Sequence, residues 1–366
     1  VGQCTKNIIC VPNHLTGHWA TEIQRLYPSA SILVPDGAKD FQKANRQKLF
    51  ARIATGNWDI VVIAHSQLIK LPTDKELERE FIQEEINNLE LSLKEAQEDA
   101  DSPRDVTVKR LEKQKMDTEA RLKEAMIKSD VDTGVSFTQL NIDKIAIDEF
   151  HKFKNLGYST KLAVSGLGNP TGSQKAFDAF VKLSSVSRKG GKLSALTATP
   201  ISNSIAEMYT FLRFMAPDQL HDRGIYSFDA WARVFAQVET ELELKVTGDG
   251  YRLNSRLSSF HNIPELMEVY LSVADTISLA DMKETVEKNG GIWFVPGIRG
   301  GAPENIVIPL SVDQIEQMEE INERASLLED PDVFVDPSVD NKLKLLSDSS
   351  KCALDPRMEE PDLDEP

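Results

Sequence analysis

The chain has 366 residues, of which 40% are apolar and 27% are charged, as expected for a soluble globular protein of one large domain or two smaller ones. No stretch approaches the roughly 20 unbroken apolar residues that a membrane span needs. No signal peptide is expected either, because Val1 leads almost directly into a strand. The three cysteines have neither metal-ligand spacing nor an even number for disulfides, which predicts a reducing, cytoplasmic location.

The formal net charge of −16 argues against a nucleic-acid binder, because phosphate contacts require Lys and Arg. Much of the acid, however, lies in residues 74–132 and 355–366, both of which are expected to lie outside the core. Net charge alone therefore does not decide whether the chain binds nucleic acid.

The chain opens with an alternation of apolar strands and helices. Strands are predicted at residues 7–11, 31–34 and 59–64, with a basic amphipathic helix at 41–54. A first helix is predicted to run from the turn at Pro12 to about Leu26, capped by Asn or Thr. It is expected to bury the apolar side chains that recur at spacings of three and four, namely Leu15, Trp19, Ile23 and Leu26. The alternation predicts an α/β fold with a parallel sheet flanked by helices.

A block from residue 75 to about 128 breaks this alternation. Apolar residues recur there at a heptad spacing, and Ser102 and Pro103 interrupt the pattern. The predicted seam consists of Ile82, Ile86, Leu89, Leu93 and Ala96, and the returning face of Val108, Leu111, Leu122, Ala125 and Met126. The block therefore predicts an inserted antiparallel helical hairpin, whose outer faces are either solvated surface or a lever or docking arm.

A further apolar strand, residues 144–147, ends in Asp148 and Glu149, with His151 two residues later. Acids at the carboxyl end of a buried strand lie where α/β folds bind ligands. In a nucleotide-hydrolysing site the first acid can hold Mg²⁺, directly or through water, and the second can activate the attacking water. The alternative for such a pair is the start of a solvated loop.

A second strand of this kind begins at Leu193 and ends in a Thr-Ala-Thr-Pro turn, residues 197–200, followed by Asn203. Between the two strands, the glycine-rich stretch 166–173 lacks the Lys-Ser or Lys-Thr of a phosphate-binding loop. It is predicted to be a loop that leads into a helix.

The remainder of the chain is predicted to be mixed. Expected helices are 205–215, which Pro217 ends, then 228–235, 263–277, 312–328 and one from Lys342, with a hairpin turn at 248–250 and a strand at 306–310. The acidic end from Met358 is expected to be disordered.

The two strand ends together resemble motifs II and III of superfamily 2 helicases and translocases, especially the Swi/Snf-like branch. Asp148 to Asn155 resembles that branch's Asp-Glu-x-His-x-x-Lys-Asn, and Thr197 to Asn203 its Thr-x-Thr-Pro-x-x-Asn, continued by Glu207, Leu212, Phe214 and Pro217. Phe150 stands where Ala is commoner, and we expect it to make the pocket wall bulkier. The stretches around Gly172 and Ser202 are similar to large phage- and plasmid-borne helicases that are often fused to adenine-specific DNA methyltransferases.

The resemblance implies a RecA-like lobe that uses ATP and Mg²⁺, with DNA, in double-stranded form, as partner. Asp148 would position Mg²⁺ on the nucleotide, and Glu149 would act as base. Residues expected to couple the nucleotide to the DNA groove and the second lobe are His151, Lys154, Asn155, Thr197, Ala198, Thr199, Pro200 and Asn203. Loops that correspond to motifs Ia and Ib would contact the DNA backbone through Pro12, Asn13, His14, His65 and Ser66.

The implied domain organisation has five parts. They are residues 1–74 (first part of lobe one), 75–132 (hairpin), 133–220 (rest of lobe one), 221–356 (bridge toward lobe two) and 357–366 (acidic tail). The resemblance further implies a prokaryotic or phage-infected host cell, no membrane, and a possible methyltransferase domain in the same polypeptide.

A Walker A run, Gly-x-x-x-x-Gly-Lys-Ser/Thr, does not occur in the 366 residues. We therefore expect the sequence to be a fragment, clipped at both ends and inactive as an ATPase by itself. The alternative is a helicase-like lobe that has lost hydrolysis and acts as a DNA- or protein-binding scaffold.

Overall fold

The computed structural model describes residues 4–99, 106–128, 135–244, 251–302, 304–330, 333, 335–336 and 339–358. Within them the strands are β1 (Asn7–Val11), β2 (Ile32–Leu33), β3 (Ile60–Ala64), β4 (Lys144–Ile147), β5 (Lys192–Ala195), β6 (Ala236–Leu244) and β7 (Tyr251–Phe260). The first five form one parallel sheet in the order β2-β3-β1-β4-β5, and the last two form a separate antiparallel sheet.

Helices connect these strands. They are α1 (Thr16–Leu26), α2 (Arg46–Thr55), α3 (His65–Leu68), α4 (Lys75–Asp99), α5 (Val106–Lys128), α6 (Gln174–Arg188), α7 (Ala206–Met215), α8 (Pro217–Asp222), α9 (Phe228–Phe235), α10 (Ile263–Leu271), α11 (Leu279–Lys288), α12 (Val312–Glu329) and α13 (Lys342–Leu354). Short 3-10 helices occupy Phe137–Leu140, Phe150–Phe153 and Pro356–Met358.

Helices cover both faces of the parallel sheet. On one face Ile8 and Cys10 of β1 lie in a core shared with α2, α4 and α6. On the other face Val11 and Val62 pack with Ile23 of α1. Burial on both faces explains why the strands are nearly continuous apolar runs in the sequence. The predicted α/β fold is confirmed, and the architecture is that of a RecA-like lobe.

The first helix ends at Leu26 as predicted, but it starts later than expected. It begins at Thr16, because residues 12–15 form a turn closed by a hydrogen bond from the Leu15 N–H to the Pro12 carbonyl (2.9 Å). The cap position is occupied by Leu15, whose apolar side chain cannot accept a hydrogen bond. Pro12 therefore belongs to a loop at the sheet edge. Leu26 is 66% exposed because the helix ends there, so its predicted burial is wrong.

The predicted helical hairpin is confirmed as α4 and α5, inserted between α3 and β4. Its arms are antiparallel, since Glu85 pairs with Arg121 (2.8 Å) while the later Glu90 pairs with the earlier Lys115 (2.8 Å). Ile82 and Ile86 of the predicted seam join the core of the sheet, and the later seam residues pack on the facing arm. Met126, predicted to lie on the buried face, is 55% exposed.

A second core lies beside the sheet, around α7, α8, α9 and α10. The aromatic side chains of the predicted helix 228–235 are almost completely buried in it, namely Phe228, Trp231 and Phe235. Ser165 connects the loop after β4 to β7, through its amide and the Ser255 carbonyl (3.0 Å).

The chain divides into two compact units, residues 1–240 with 255–275, and residues 241–254 with 276–366. In the second unit α12 and α13 pack through a small apolar cluster. Arg324 of α12 is bonded to Asp340 (2.7 Å) and Asp348 (2.9 Å), which fixes the start of α13 against α12.

The strand predicted at residues 306–310 does not form. The segment has no regular secondary structure, and Val307 is 90% exposed. A strand requires a neighbouring backbone to satisfy its N–H and C=O groups, and no described residue supplies one here. The predicted turn at 248–250 and the acidic end from residue 359 lie outside the described residues. None of the described helices has the length and apolarity to cross a membrane.

Candidate functional site

Neighbouring parallel strands bring the predicted motif residues to one edge of the sheet. In the register of the strands, Val11 lies beside Ala64, and Ile147 lies between Cys10 and Ala195. Because the strands are parallel, their carboxyl ends share that edge. The loops that begin there start at Pro12, His65, Asp148 and Leu196.

Asp148 is held at the end of β4 by its own backbone. Its amide donates to the Cys10 carbonyl (2.8 Å), and its Oδ1 accepts the Glu149 N–H (3.0 Å). Within the described part of the chain, Oδ2 has no hydrogen-bond partner. The half-buried carboxylate is therefore oriented and has one oxygen available to a cation.

Glu149 has a left-handed backbone conformation (φ 51°, ψ 49°), which is uncommon for residues other than glycine. The next residue explains it. Phe150 is completely buried against Phe211 and Phe214, with ring centroids 5.2 and 5.1 Å away, and its amide donates to the Leu196 carbonyl (2.9 Å). The expectation that Phe150 forms the pocket wall is wrong, because the backbone turn places the ring in the core and the Glu149 carboxylate outside it.

His151 joins the loop after β4 to the loop after β5. Its Nδ1 lies 3.2 Å from Glu149 Oε2 and 3.1 Å from Thr197 Oγ1. The contact with Thr197 is the hydrogen bond at this nitrogen, and the Glu149 carboxylate lies beside the same nitrogen at an ion-pair distance. Thr197 Oγ1 also accepts the Thr199 N–H (3.1 Å). The predicted motif II and motif III residues are thus linked through a single imidazole.

A second link joins the same two loops. Lys154 Nζ lies 2.8 Å from Glu207 Oε1 of α7, and both side chains are largely buried. Glu207 Oε2 accepts the Ser202 N–H (2.8 Å), and its Oε1 accepts the Asn203 N–H (3.3 Å). The Thr210 hydroxyl donates to the Lys154 carbonyl (2.8 Å). Glu207 therefore holds the end of the motif III turn and the lysine after motif II together.

The remaining predicted coupling residues lie around these two links. Ala198 and Thr199 are exposed on the motif III turn and Pro200 is half-buried. Asn155 is exposed, and its carbonyl accepts the Ser173 N–H (2.8 Å) at the start of α6.

The loops predicted to be motifs Ia and Ib touch each other. Asn13 Oδ1 accepts from the Ser66 hydroxyl (3.1 Å) and amide (3.4 Å), and Asn13 and His14 are exposed while Pro12 is half-buried. His65 is only 7% exposed, and its Nε2 donates to the Asp148 carbonyl (2.8 Å). Burial lowers the pKa of His65, although the bond to Asp148 opposes this. His65 thus ties the Ib loop to motif II as a neutral ring.

The hairpin contacts the segment that follows motif II. Arg110 Nη2 of α5 donates to the carbonyls of Thr160 (2.8 Å) and Leu162 (3.1 Å), and Lys161 pairs with Glu95 of α4 (3.3 Å). One side of the hairpin is therefore attached to the lobe near the candidate site.

Two residues that sequence reasoning did not assign to the site lie in it. The motif III pattern contains Glu207 but gives it no role, and no predicted motif contains Lys175. The sequence does carry a signal for Glu207, because an acid stands four residues after Asn203. No local signal marked Lys175, because its neighbours in space come from three separate segments of the chain.

In comparisons with known proteins, no curated protein matches the chain. A family described as a probable helicase domain matches residues 1–277, which include the parallel sheet, the hairpin and both linked loops. The chain belongs to this family of probable helicase domains.

Proposed function

We propose that these residues form the part of an ATP-driven DNA helicase or translocase lobe that couples nucleotide hydrolysis to double-stranded DNA, in the Swi/Snf-like branch of superfamily 2. The observation that carries the proposal is the imidazole of His151, placed between the Glu149 carboxylate and the Thr197 hydroxyl. A base that contacts a histidine hydrogen-bonded to a second loop can transmit a change at the nucleotide to that loop.

The side chains fit a hydrated Mg²⁺ and an activated water. Asp148 would hold the metal through its unpartnered oxygen, and Glu149, whose carboxylate is half-exposed, would accept the proton of the attacking water. MgATP, when bound, would supply the phosphoryl group and the metal charge. The 366 residues contain no Walker A run, so none of them is assigned to the β- and γ-phosphates.

The DNA side of the proposed site is formed by the loops after β1 and β3. Asn13, His14 and Ser66 are accessible there, and the His65 bond to Asp148 connects this surface to the metal-binding loop. The proposal extends to a cytoplasmic protein of a prokaryote or a phage-infected cell, with a possible methyltransferase domain in the same polypeptide.

The test is DNA-stimulated ATP hydrolysis by the natural polypeptide that carries these residues. We expect Glu149→Gln to lower the turnover by at least about 100-fold, since general bases typically contribute this much or more, while ATP binding persists. Glu265→Gln, on the exposed face of α10, is a matched control that should leave turnover unchanged.

Near-normal turnover of the Glu149→Gln protein would remove Glu149 from the base role. DNA binding with no ATP binding or hydrolysis in the wild type would favour the alternative function, a helicase-like lobe that acts as a scaffold.

A further inference from the structure

Lys175 occupies an unusual position at the carboxyl edge of the sheet. It lies in the first turn of α6, and its Nζ is 4.4 Å from the centre of the Phe153 ring. The His65 ring packs edge-on against the same ring, at a centroid distance of 5.2 Å. The ammonium group is thus placed between the loop that carries motif II and the loop after β3.

In the part of the chain that the structure describes, no carboxylate pairs with this ammonium group. Among the described residues Lys175 has neither a hydrogen bond nor an ion pair, and the side chain is half-buried. Burial lowers the pKa of Lys175, the Cys10 side chain opposes this shift, and the neighbouring Lys152 adds to it. The ring of Phe153 compensates only part of the lost hydration.

The surroundings of Lys175 add positive potential. The exposed Lys152 directly precedes Phe153, whose ring lies under Lys175, and its charge lowers the pKa of both Lys175 and His65. The first turn of α6 contains no acidic residue, and its Ser173 cap accepts only the Ala176 N–H. Two lysines beside a helix start that has no acidic residue in its first turn favour an anion over a cation.

We propose that Lys175 and Lys152 bind a phosphate of a nucleic-acid backbone. A nucleotide could also supply the phosphate. We choose the nucleic-acid backbone because the Phe153 ring beneath Lys175 also packs against His65, the first residue after β3, in one of the proposed DNA-side loops. The inference rests on the proposed function and adds a specific contact to it.

The salt dependence of DNA binding by the 366-residue chain tests the assignment. Each phosphate contact contributes about 0.9 to the slope of log affinity against log salt for duplex DNA. Lys175→Met keeps an aliphatic side chain over Phe153 but removes the charge. We expect this variant to lower the slope by about 0.9 and the affinity by about eightfold at about 0.1 M salt, and Lys175→Arg to restore most of both.

Two further variants control for folding and for general charge effects. Lys152→Met changes an exposed side chain and is expected to lower the slope by a similar amount without changing the melting temperature. Lys192→Met removes an exposed charge at the opposite, amino end of β5 and is expected to leave the slope unchanged.

An unchanged slope in both Lys175→Met and Lys152→Met would overturn the assignment, even if the wild type binds DNA. A loss of ATP affinity with unchanged DNA binding would assign the phosphate to a nucleotide and also overturn it. A wild-type chain that binds no DNA at low salt would instead contradict the DNA-binding part of the proposed function itself.

Discussion

The ion pair of Lys154 and Glu207 is expected to make a large contribution to the stability of the first unit. The side chains are 13% and 8% exposed, and their charged atoms are 2.8 Å apart. Glu207→Ala would leave the amides of Ser202 and Asn203 without their acceptor, and the Lys154 ammonium group would keep only its bond to the Ser202 hydroxyl. Breaking a buried pair by removing one partner costs about 3–5 kcal/mol. Ser202 and Asn203 are exposed, so water can replace part of the loss. We expect about 3 kcal/mol.

Glu207→Gln should cost less, about 1.5 kcal/mol, because the amide oxygen still accepts a backbone N–H while the charge is lost. A double-mutant cycle with Lys154→Met should give a coupling energy above about 1 kcal/mol. The exposed pair of Arg223 and Glu265 is the control, and Glu265→Gln should cost less than about 1 kcal/mol.

Urea unfolding followed by tryptophan fluorescence measures these free energies. Three of the four tryptophans report on the first unit, namely Trp19, Trp58 and Trp231. The midpoint should fall at an unchanged slope, since the surface exposed on unfolding stays the same. A cost below about 1 kcal/mol for Glu207→Ala, or a coupling energy near zero, would show that the pair is solvated and does not join the two loops.

Two further predictions concern Glu149 and His65. Glu149→Gly relieves the left-handed backbone strain, so the free energy of unfolding in urea should rise by about 0.5–1 kcal/mol after the entropy cost of glycine. Glu149→Ala keeps the strain and should show no gain. Equal stabilities of the Gly and Ala variants would contradict the strain. For His65, burial lowers the folded pKa below the ordinary value of 6.5, so the unfolded chain binds the proton more readily. The stability it contributes is complete above about pH 6.5 and is lost as the pH falls through the folded pKa. His65→Gln, which can still donate to Asp148, should remove this loss, and identical acid profiles of the two proteins would refute it.

Much of the candidate site was predictable because its residues are contiguous in the sequence. The strand before Asp148 and the strand before Thr197 each end in polar residues, and parallel pairing necessarily brings such ends to one edge. The hairpin was predictable for a similar reason, since a heptad spacing on two adjacent segments records which faces pack together.

Other features depended on contacts between distant segments. The left-handed Glu149 follows from the burial of Phe150 against α7, about sixty residues later, which no local pattern encodes. The buried link from His65 to Asp148 likewise arises from residues far apart in the chain, as does the half-buried Lys175, which has no ion pair among the described residues.

The sequence by itself determined the alternation of strands and helices, the hairpin and the positions of the two motifs, because periodicity and strand ends are local properties. Only the tertiary structure decided which charges are paired. It joined Lys154 to Glu207, gave Lys175 no ion pair among the described residues, and left residues 306–310 without regular secondary structure. A hydrogen bond, an ion pair or a strand needs a partner, and the fold alone determines whether a partner lies within reach.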